Sequence, residues 1–123
     1  VYAWSTFVAE GHTAWTGVRN HQARLHLLAM KVGDRALYYH SGEERQVVGI
    51  AEVVREAYQD PTAEDPRWVC VDLRPVAPLG RAVTLAQYKA DPELQASVLV
   101  KNSRLSVQPV TAAEFARAME LGG

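Results

Sequence analysis

Two strand-like segments separated by a short turn constrain the fold of this chain more than any other feature. Residues 35–41 alternate between two faces, which carry Leu37, Tyr39 and Ser41 on one side and Ala36, Tyr38 and His40 on the other. Residues 42–44 predict a hairpin turn into a second strand over residues 46–57. In that strand Gly49 and Ala51 fall in one row. Two small residues in a row suit a tightly curved sheet or a small barrel.

The segment before this hairpin predicts a helix that is apolar over most of its circumference. The helix is expected from residue 18 or 19 to residue 30 or 31. Its apolar side chains form an inward stripe of Ala23, Leu27 and Met30 and an opposite set of Leu25, Leu28 and Ala29. We therefore expect this helix to be covered on more than one face. Arg19 and Asn20 fall at the edges of the inward stripe, at the helix start.

The same periodicities predict the remaining elements. They are a helix over residues 2–10 with Trp4, Phe7 and Val8 on its inward face, an acidic loop over residues 60–66, strands over residues 68–76 and 105–110, a short helix capped by Thr84, a helical turn over residues 93–100, and a last helix over residues 111–121. Helices, then strands joined by hairpins, then helices indicate an α+β fold. We predict a curved mixed or antiparallel β-sheet surrounded by short helices, in a single domain over residues 1–123.

Charge and composition exclude several classes of protein. The net charge of −1 over 123 residues argues against a strong non-specific nucleic-acid binder. Charge is unevenly spread, with +3 over residues 18–41, −5 over residues 43–65 and +3 over residues 67–104, which allows a basic face with an acidic flank. Nothing in the sequence approaches the ~18 consecutive apolar residues of a membrane span.

The single cysteine bears on the compartment. Cys70 cannot form an intrachain disulfide, and its strand-like surroundings predict a buried thiol. A reducing compartment is expected, cytoplasmic in a bacterium or nuclear in a eukaryote. The chain starts with Val rather than Met, so we also expect residues to precede it in the natural protein.

Ready-made catalytic and metal-binding patterns do not occur in this sequence. The four histidines show no H-x-x-x-H spacing, and a single cysteine cannot form a C-x-x-C motif. No metal site is therefore predicted. Walker-type, G-x-G-x-x-G and G-x-S-x-G motifs do not occur either, which leaves no cofactor and no catalytic residue to predict. His40 and Ser41 are adjacent on a strand, where neighbouring side chains point to opposite faces.

What remains is a set of residues suited to recognition. Trp15 and Tyr39 can present flat faces, while Arg19, Asn20, Gln22, His40 and Ser41 supply hydrogen-bond donors and acceptors. Stacking combined with hydrogen bonds to base edges is how proteins recognise single or flipped bases. The same residues also have a structural interpretation, in which the two aromatics belong to the core and Arg19 and Asn20 cap and brace the helix.

Residues 15–24, Trp-Thr-Gly-Val-Arg-Asn-His-Gln-Ala-Arg, resemble the W-x-G-V-R-N-x-Q-A-R signature of the EVE domain family, within the PUA-like superfamily. The resemblance continues through Met30–Asp34 and Tyr38–Ser41, which are similar to the family's M-K-x-G-D and F-Y-H-S. Further segments match in order, over residues 48–58, 68–72 and 104–111. Essentially the whole chain is covered. Two departures are His21, where the family often has Tyr, and Tyr38, where Phe is common.

The resemblance implies a PUA-like pseudobarrel and a pocket for a modified nucleobase, either a modified cytosine in DNA or a modified base in RNA. It places Trp15 and Tyr39 in the pocket wall, Arg19, Asn20 and Gln22 against the base edge or backbone, and His40 and Ser41 beside the pocket. Tyr39 is expected to face Arg19 and Asn20. The expected partner is therefore nucleic acid, with no membrane, no metal and no cofactor. Family members usually begin with a strand ending in a Lys-Ser-Glu-Pro-like motif, so we expect this chain to lack that first strand.

Two alternatives to a reader domain stay open. The first is a small hydrolase that acts on a modified nucleoside, detectable by turnover and a bell-shaped pH–rate profile. The second is a non-catalytic interaction module with a vestigial pocket, which predicts a fully packed Trp15 and no concavity beside Tyr39. The sequence decides neither the base, DNA against RNA, nor the oligomeric state.

Overall fold

A computed structural model describes residues 2–123 and shows an α+β fold, as predicted. Its elements are α1 (Trp4–Glu10), β1 (Thr13–Ala14), α2 (His21–Ala29), β2 (Arg35–His40), β3 (Gln46–Gln59), β4 (Val69–Thr84), α3 (Leu85–Ala90), α4 (Val98–Lys101) and α5 (Ala112–Gly122). The strands form one sheet in the order β1-β4-β3-β2, and each of its three pairings is antiparallel. The short helices surround this curved sheet.

Strand β4 is longer than the predicted strand over residues 68–76, and the reason is a set of bulges. We expected Pro75 and Pro78 to mark the end of the strand or an irregular edge, and both lie within β4, opposite Ala51 and Gly49. The β3–β4 register shifts at both places. A proline cannot donate a ladder hydrogen bond, so it is tolerated at a bulge, and bulges bend a sheet. The two prolines therefore contribute to curvature rather than to termination.

The core consists of two clusters on opposite faces of the sheet. The first lies around Phe7, Leu27, Tyr38 and Val71, and the second around Val47, Val83, Tyr88 and Leu94. The predicted alternation of the first hairpin strand explains the division, because Tyr38 packs into the first cluster while Leu37 and Tyr39 pack against the second. Cys70 is fully buried, as predicted.

Close packing explains the small residue at position 49. A Cβ atom on Gly49 would lie 2.6 Å from the ring of Trp4, so the indole occupies the space that a side chain would need. Trp4 in turn makes edge contacts with Phe7 and Tyr38. Helix α1 was predicted correctly up to its stop at Gly11, which has a φ of 79°. Val8, however, is 50% exposed rather than inward.

Helix α2 differs from its prediction in two respects. It begins at His21, so Arg19 precedes it and Asn20 is its N-cap. It is also covered on one face and not on several, because Leu25 and Leu28 are 57% and 47% exposed. The inward stripe is confirmed at Ala23 and Leu27, which are fully buried.

The predicted strand over residues 105–110 is absent from the described chain. Leu105 and Val107 are buried as an alternating pattern requires. Their backbone forms an irregular turn, in which the Gln108 side-chain amide donates to the carbonyls of Asn102 and Leu105 at 2.8 and 3.0 Å. Side-chain bonds of this kind satisfy the backbone without a strand partner.

Capping boxes start helices α3 and α5. Thr84 accepts from Gln87 N–H at the start of α3, and Thr111 accepts from Glu114 N–H at the start of α5. Both confirm the predicted N-caps. None of the helices in the described residues is long and apolar enough to cross a membrane.

Candidate functional site

The structure places the seven predicted site residues in three separate regions. Arg19, Asn20 and Gln22 lie at the start of α2. Trp15, Tyr39 and Ser41 line a large cleft. His40 lies at the end of β2, where it bonds to α1 and to the following turn. Tyr39, which was expected to face Arg19 and Asn20, packs against the second core cluster, and Tyr38 is the tyrosine whose ring contacts Trp15.

A buried carboxylate holds the loop before α2. Asp60 is fully buried. Its Oδ2 atom accepts from the Gly17 N–H at 2.8 Å and from Arg19 Nη1 at 3.0 Å. Its Oδ1 atom accepts from the backbone N–H and the hydroxyl of Thr62 at 2.7 and 2.6 Å. Asp60 thereby joins the loop before α2 to the loop between β3 and β4.

The charge of Asp60 is stabilised by these donors. Burial raises the pKa of a carboxyl group, but the hydrogen bonds from Thr62, Gly17 and Arg19 outweigh burial and hold the pKa of Asp60 well below its usual range. The ionised carboxylate therefore keeps a rigid, charge-assisted link to Arg19.

Arg19 is held in place by only some of its guanidinium N–H groups. Its Nη1 also donates to the Val18 carbonyl at 3.0 Å, and its Nη2 donates to the Thr62 hydroxyl at 3.1 Å. Within residues 2–123 these bonds use three of the five guanidinium N–H groups and leave Nε–H and one Nη2–H for another partner. The side chain is 40% exposed, which lets a ligand reach those donors.

Asn20 and Gln22 complete the start of α2. The Asn20 side-chain oxygen accepts from the backbone N–H groups of Gln22 and Ala23 at 2.8 and 3.1 Å. Asn20 is therefore a helix cap, as the structural interpretation expected. Gln22 is exposed in the first turn of α2.

Sequence reasoning missed Trp68 as a neighbour of this polar group. The Trp68 ring lies 5.0 Å from the His21 ring, centroid to centroid, and 5.9 Å from the Arg19 guanidinium carbon. Trp68 was assigned to a strand and therefore treated as scaffold, but it lies just before β4. The one sequence feature that marks Trp68 is its position just after the acidic loop over residues 60–66.

The cleft has a volume of about 1120 Å³ and lies between β2, residues 103–110 and the segment around Trp15. Small-molecule sites have volumes of roughly 300–1,000 Å³. The cleft is therefore large enough to admit a nucleobase. Trp15 is half-buried and the cleft adjoins Tyr39, which are not the features expected of a vestigial pocket.

His40 joins α1 to the first hairpin. Its Nε2 accepts from the Trp4 backbone N–H at 3.0 Å, and its Nδ1 lies 3.0 Å from a Glu44 carboxylate oxygen. Because Nε2 is an acceptor, the ring proton lies on Nδ1 and is donated to Glu44. Within residues 2–123 no group of three or more His, Cys, Asp or Glu side chains is placed to hold a metal ion.

Known proteins resemble this chain in sequence and in fold. A family model described as the EVE domain matches residues 1–121. Thymocyte nuclear protein 1 from Homo sapiens is 36% identical over an alignment of 126 residues, which covers 84% of this chain and 56% of that protein. The chain thus spans about half the length of the curated relatives it matches.

Two solved structures extend the comparison. The NMR structure of Rpa0253 from Rhodopseudomonas palustris is 55% identical with a TM-score of 0.92, covering 98% of this chain and 84% of that chain. The crystal structure of human THYN1 in complex with DNA containing 5-methylcytosine is 34% identical with a TM-score of 0.88, covering 96% of this chain and 84% of that chain.

Proposed function

The chain belongs to the EVE domain family, and we propose that it is a DNA-binding reader domain that recognises a modified base of the 5-methylcytosine type. One observation carries the proposal. The human relative that binds 5-methylcytosine DNA has the same fold over nearly all of this chain, at 34% identity. The proposal extends that ligand class to the domain described here.

The start of α2 supports the proposal as the contact region. Among residues 2–123, Arg19 is fixed by Asp60 and keeps two N–H donors without a partner, and Gln22 offers an exposed amide three positions further along the chain. Fixed donors lose little conformational entropy on binding, which is how preorganised sites gain affinity. Asn20 contributes by fixing the helix end. Trp15, Tyr39, His40 and Ser41 stay predictions, because they lie at the cleft or at the end of β2 and not beside Arg19.

The net charge supports recognition through a base rather than through phosphates. A chain with a net charge of −1 attracts the DNA backbone weakly. Affinity then comes mainly from contacts with one base, which would be extruded from the duplex because stacking covers its faces and pairing covers its Watson–Crick edge.

The test compares duplexes that differ by a single 5-methylcytosine, with fluorescence anisotropy as the measurement and a matched RNA strand as a third ligand. We expect the wild-type protein to prefer the methylated duplex. We expect Gln22→Ala to reduce that preference by about tenfold, since a good hydrogen-bonding contact to a base contributes roughly 1–3 kcal/mol of discrimination.

The control is Gln95→Ala, which changes an exposed glutamine between α3 and α4, outside the start of α2. It should bind both duplexes as the wild type does. Equal affinity of the wild-type protein for methylated and unmethylated DNA would contradict the proposed function. Tighter binding to the RNA strand would assign the domain to RNA.

A further inference from the structure

Trp68 is the residue whose surroundings are least explained by the fold. We propose that Trp68, His21 and Arg19 form a stacking platform that holds the extruded modified base. The inference rests on the proposed function and names the surface that receives the base. The platform is defined by these three residues.

The packing of Trp68 sets it apart from the other tryptophans. Trp4 and Trp15 both pack against the first core cluster. In the part of the chain that is described, residues 2–123, Trp68 packs against neither cluster. Its ring is half-buried, and its aromatic and cationic neighbours are His21 and Arg19. A large apolar ring held among polar side chains contributes less to the core than one inside it, and such rings are common at binding sites.

Backbone hydrogen bonds on both sides of Trp68 hold the platform in place. The Trp68 carbonyl accepts from the Asp60 N–H at 2.9 Å, so the residue that anchors Arg19 also fixes the backbone of Trp68. Trp68 N–H donates to the Asp65 carbonyl at 3.3 Å, which closes the loop on its other side. Asp60 thus helps to set the positions of two platform residues, Arg19 through its carboxylate and Trp68 through its backbone N–H.

The composition of the platform suits a nucleobase. Every base has a π-face that stacks on an aromatic ring, and arginine adds a cation–π contribution. His21 is exposed, and its ring is tilted by 31° to the Trp68 ring. A base that lies on Trp68 would bring its edge towards the free Nε–H and Nη2–H of Arg19. Stacking and edge recognition would then come from adjoining groups.

The experiment uses anisotropy on the same pair of duplexes, together with tryptophan fluorescence. We expect Trp68→Leu to weaken binding of the methylated duplex by about tenfold or more, the loss that removal of a base-stacking ring produces. Binding of the unmethylated duplex should change much less. His21→Ala should weaken the methylated complex in the same direction, and His26→Ala, a histidine further along α2, is the matched control.

Fluorescence gives a readout that a purely structural role of Trp68 would not change. Stacking of a base should quench Trp68, and Trp68→Phe should lose that quenching while it retains much of the affinity. Persistence of the full quenching in Trp68→Phe, or wild-type affinity in Trp68→Leu, would overturn the platform and leave the proposed function standing. An equal loss for both duplexes would also overturn it. A wild-type protein without preference for methylated DNA would overturn the proposed function and the platform together.

Discussion

At the scale of single residues, Asp60 determines how the region around α2 is held. We expect Asp60→Asn to lower the free energy of unfolding by about 1–3 kcal/mol near neutral pH, because a buried amide cannot serve all the donors that now converge on the carboxylate. Urea denaturation of the wild type and the variant measures the difference. Glu64→Gln, an exposed change in the same loop, should stay within about 0.5 kcal/mol of the wild type.

The same residue predicts a pH dependence. A carboxyl group whose pKa is lower in the folded protein stabilises it above the unfolded pKa, about 3.9 for Asp, and loses that contribution as the pH falls through the folded pKa. The pKa of Asp60 is lowered in the folded protein. The stability difference between the wild type and Asp60→Asn should therefore be constant above about pH 5 and shrink as the pH falls below about 4. A difference that grows in acid would contradict this.

Gly49 is a second residue with a specific steric role. A methyl group at this position would overlap the Trp4 ring at 2.6 Å. We expect Gly49→Ala to destabilise the protein by about 1–3 kcal/mol, the usual cost of overpacking, and thermal denaturation measures it. The pair is coupled, so Gly49→Ala combined with Trp4→Leu should cost less than the sum of the two single variants. Simple additivity would show that the contact is not the cause.

At the scale of elements, α2 provides a test with neighbouring residues. Leu27 is fully buried and Leu28 is 47% exposed. Leu27→Ala should cost about 2–5 kcal/mol, since it leaves a cavity in the first core cluster. Leu28→Ala should change stability by less than about 0.5 kcal/mol. Denaturant midpoints compare the two, and similar losses would indicate that a partner covers the outer face of α2 in solution.

Elements that follow from a local sequence pattern were predicted well, and elements that also depend on a distant partner were not. The inward stripe of α2 and the alternation of β2 follow from local periodicity, and the structure confirms both. Burial alternates over residues 105–107 as well, but a strand also needs a partner, which no local pattern specifies. Pro75 and Pro78 were expected to mark the end or an irregular edge of their strand, and they lie within it because bulges in β4 accommodate them.

At the scale of the whole molecule, the charge distribution predicts weak dependence on salt. The proposed site contributes the Arg19 guanidinium and a few polar groups. Each phosphate contact contributes about −0.9 to the slope of log K against log salt, so we expect a slope shallower than roughly −3 for the methylated duplex. Anisotropy titrations at several salt concentrations measure it. A much steeper slope would indicate binding through many phosphates, and Arg35, Arg45 and Arg104, which line the cleft, would become the candidates.

Contacts between distant parts of the chain account for what sequence reasoning missed at the site. Arg19 was selected because a polar residue at a helix start needs a partner, and that argument was sound. Its partner, Asp60, lies 41 positions away in a loop predicted only as acidic. The position of Trp68 beside His21 depends on the same closure of two loops, which no spacing in the sequence reveals.

The bond between Gly17 and Asp60 has a consequence for hydrogen exchange. Gly17 is exposed, and its amide would ordinarily exchange with solvent in seconds or less. Its N–H, however, is donated to a fully buried carboxylate. This amide should therefore exchange at the rate at which the two loops separate, and acid that protonates Asp60 should release it. The protection of the Gly17 amide thus reports whether these two loops are joined.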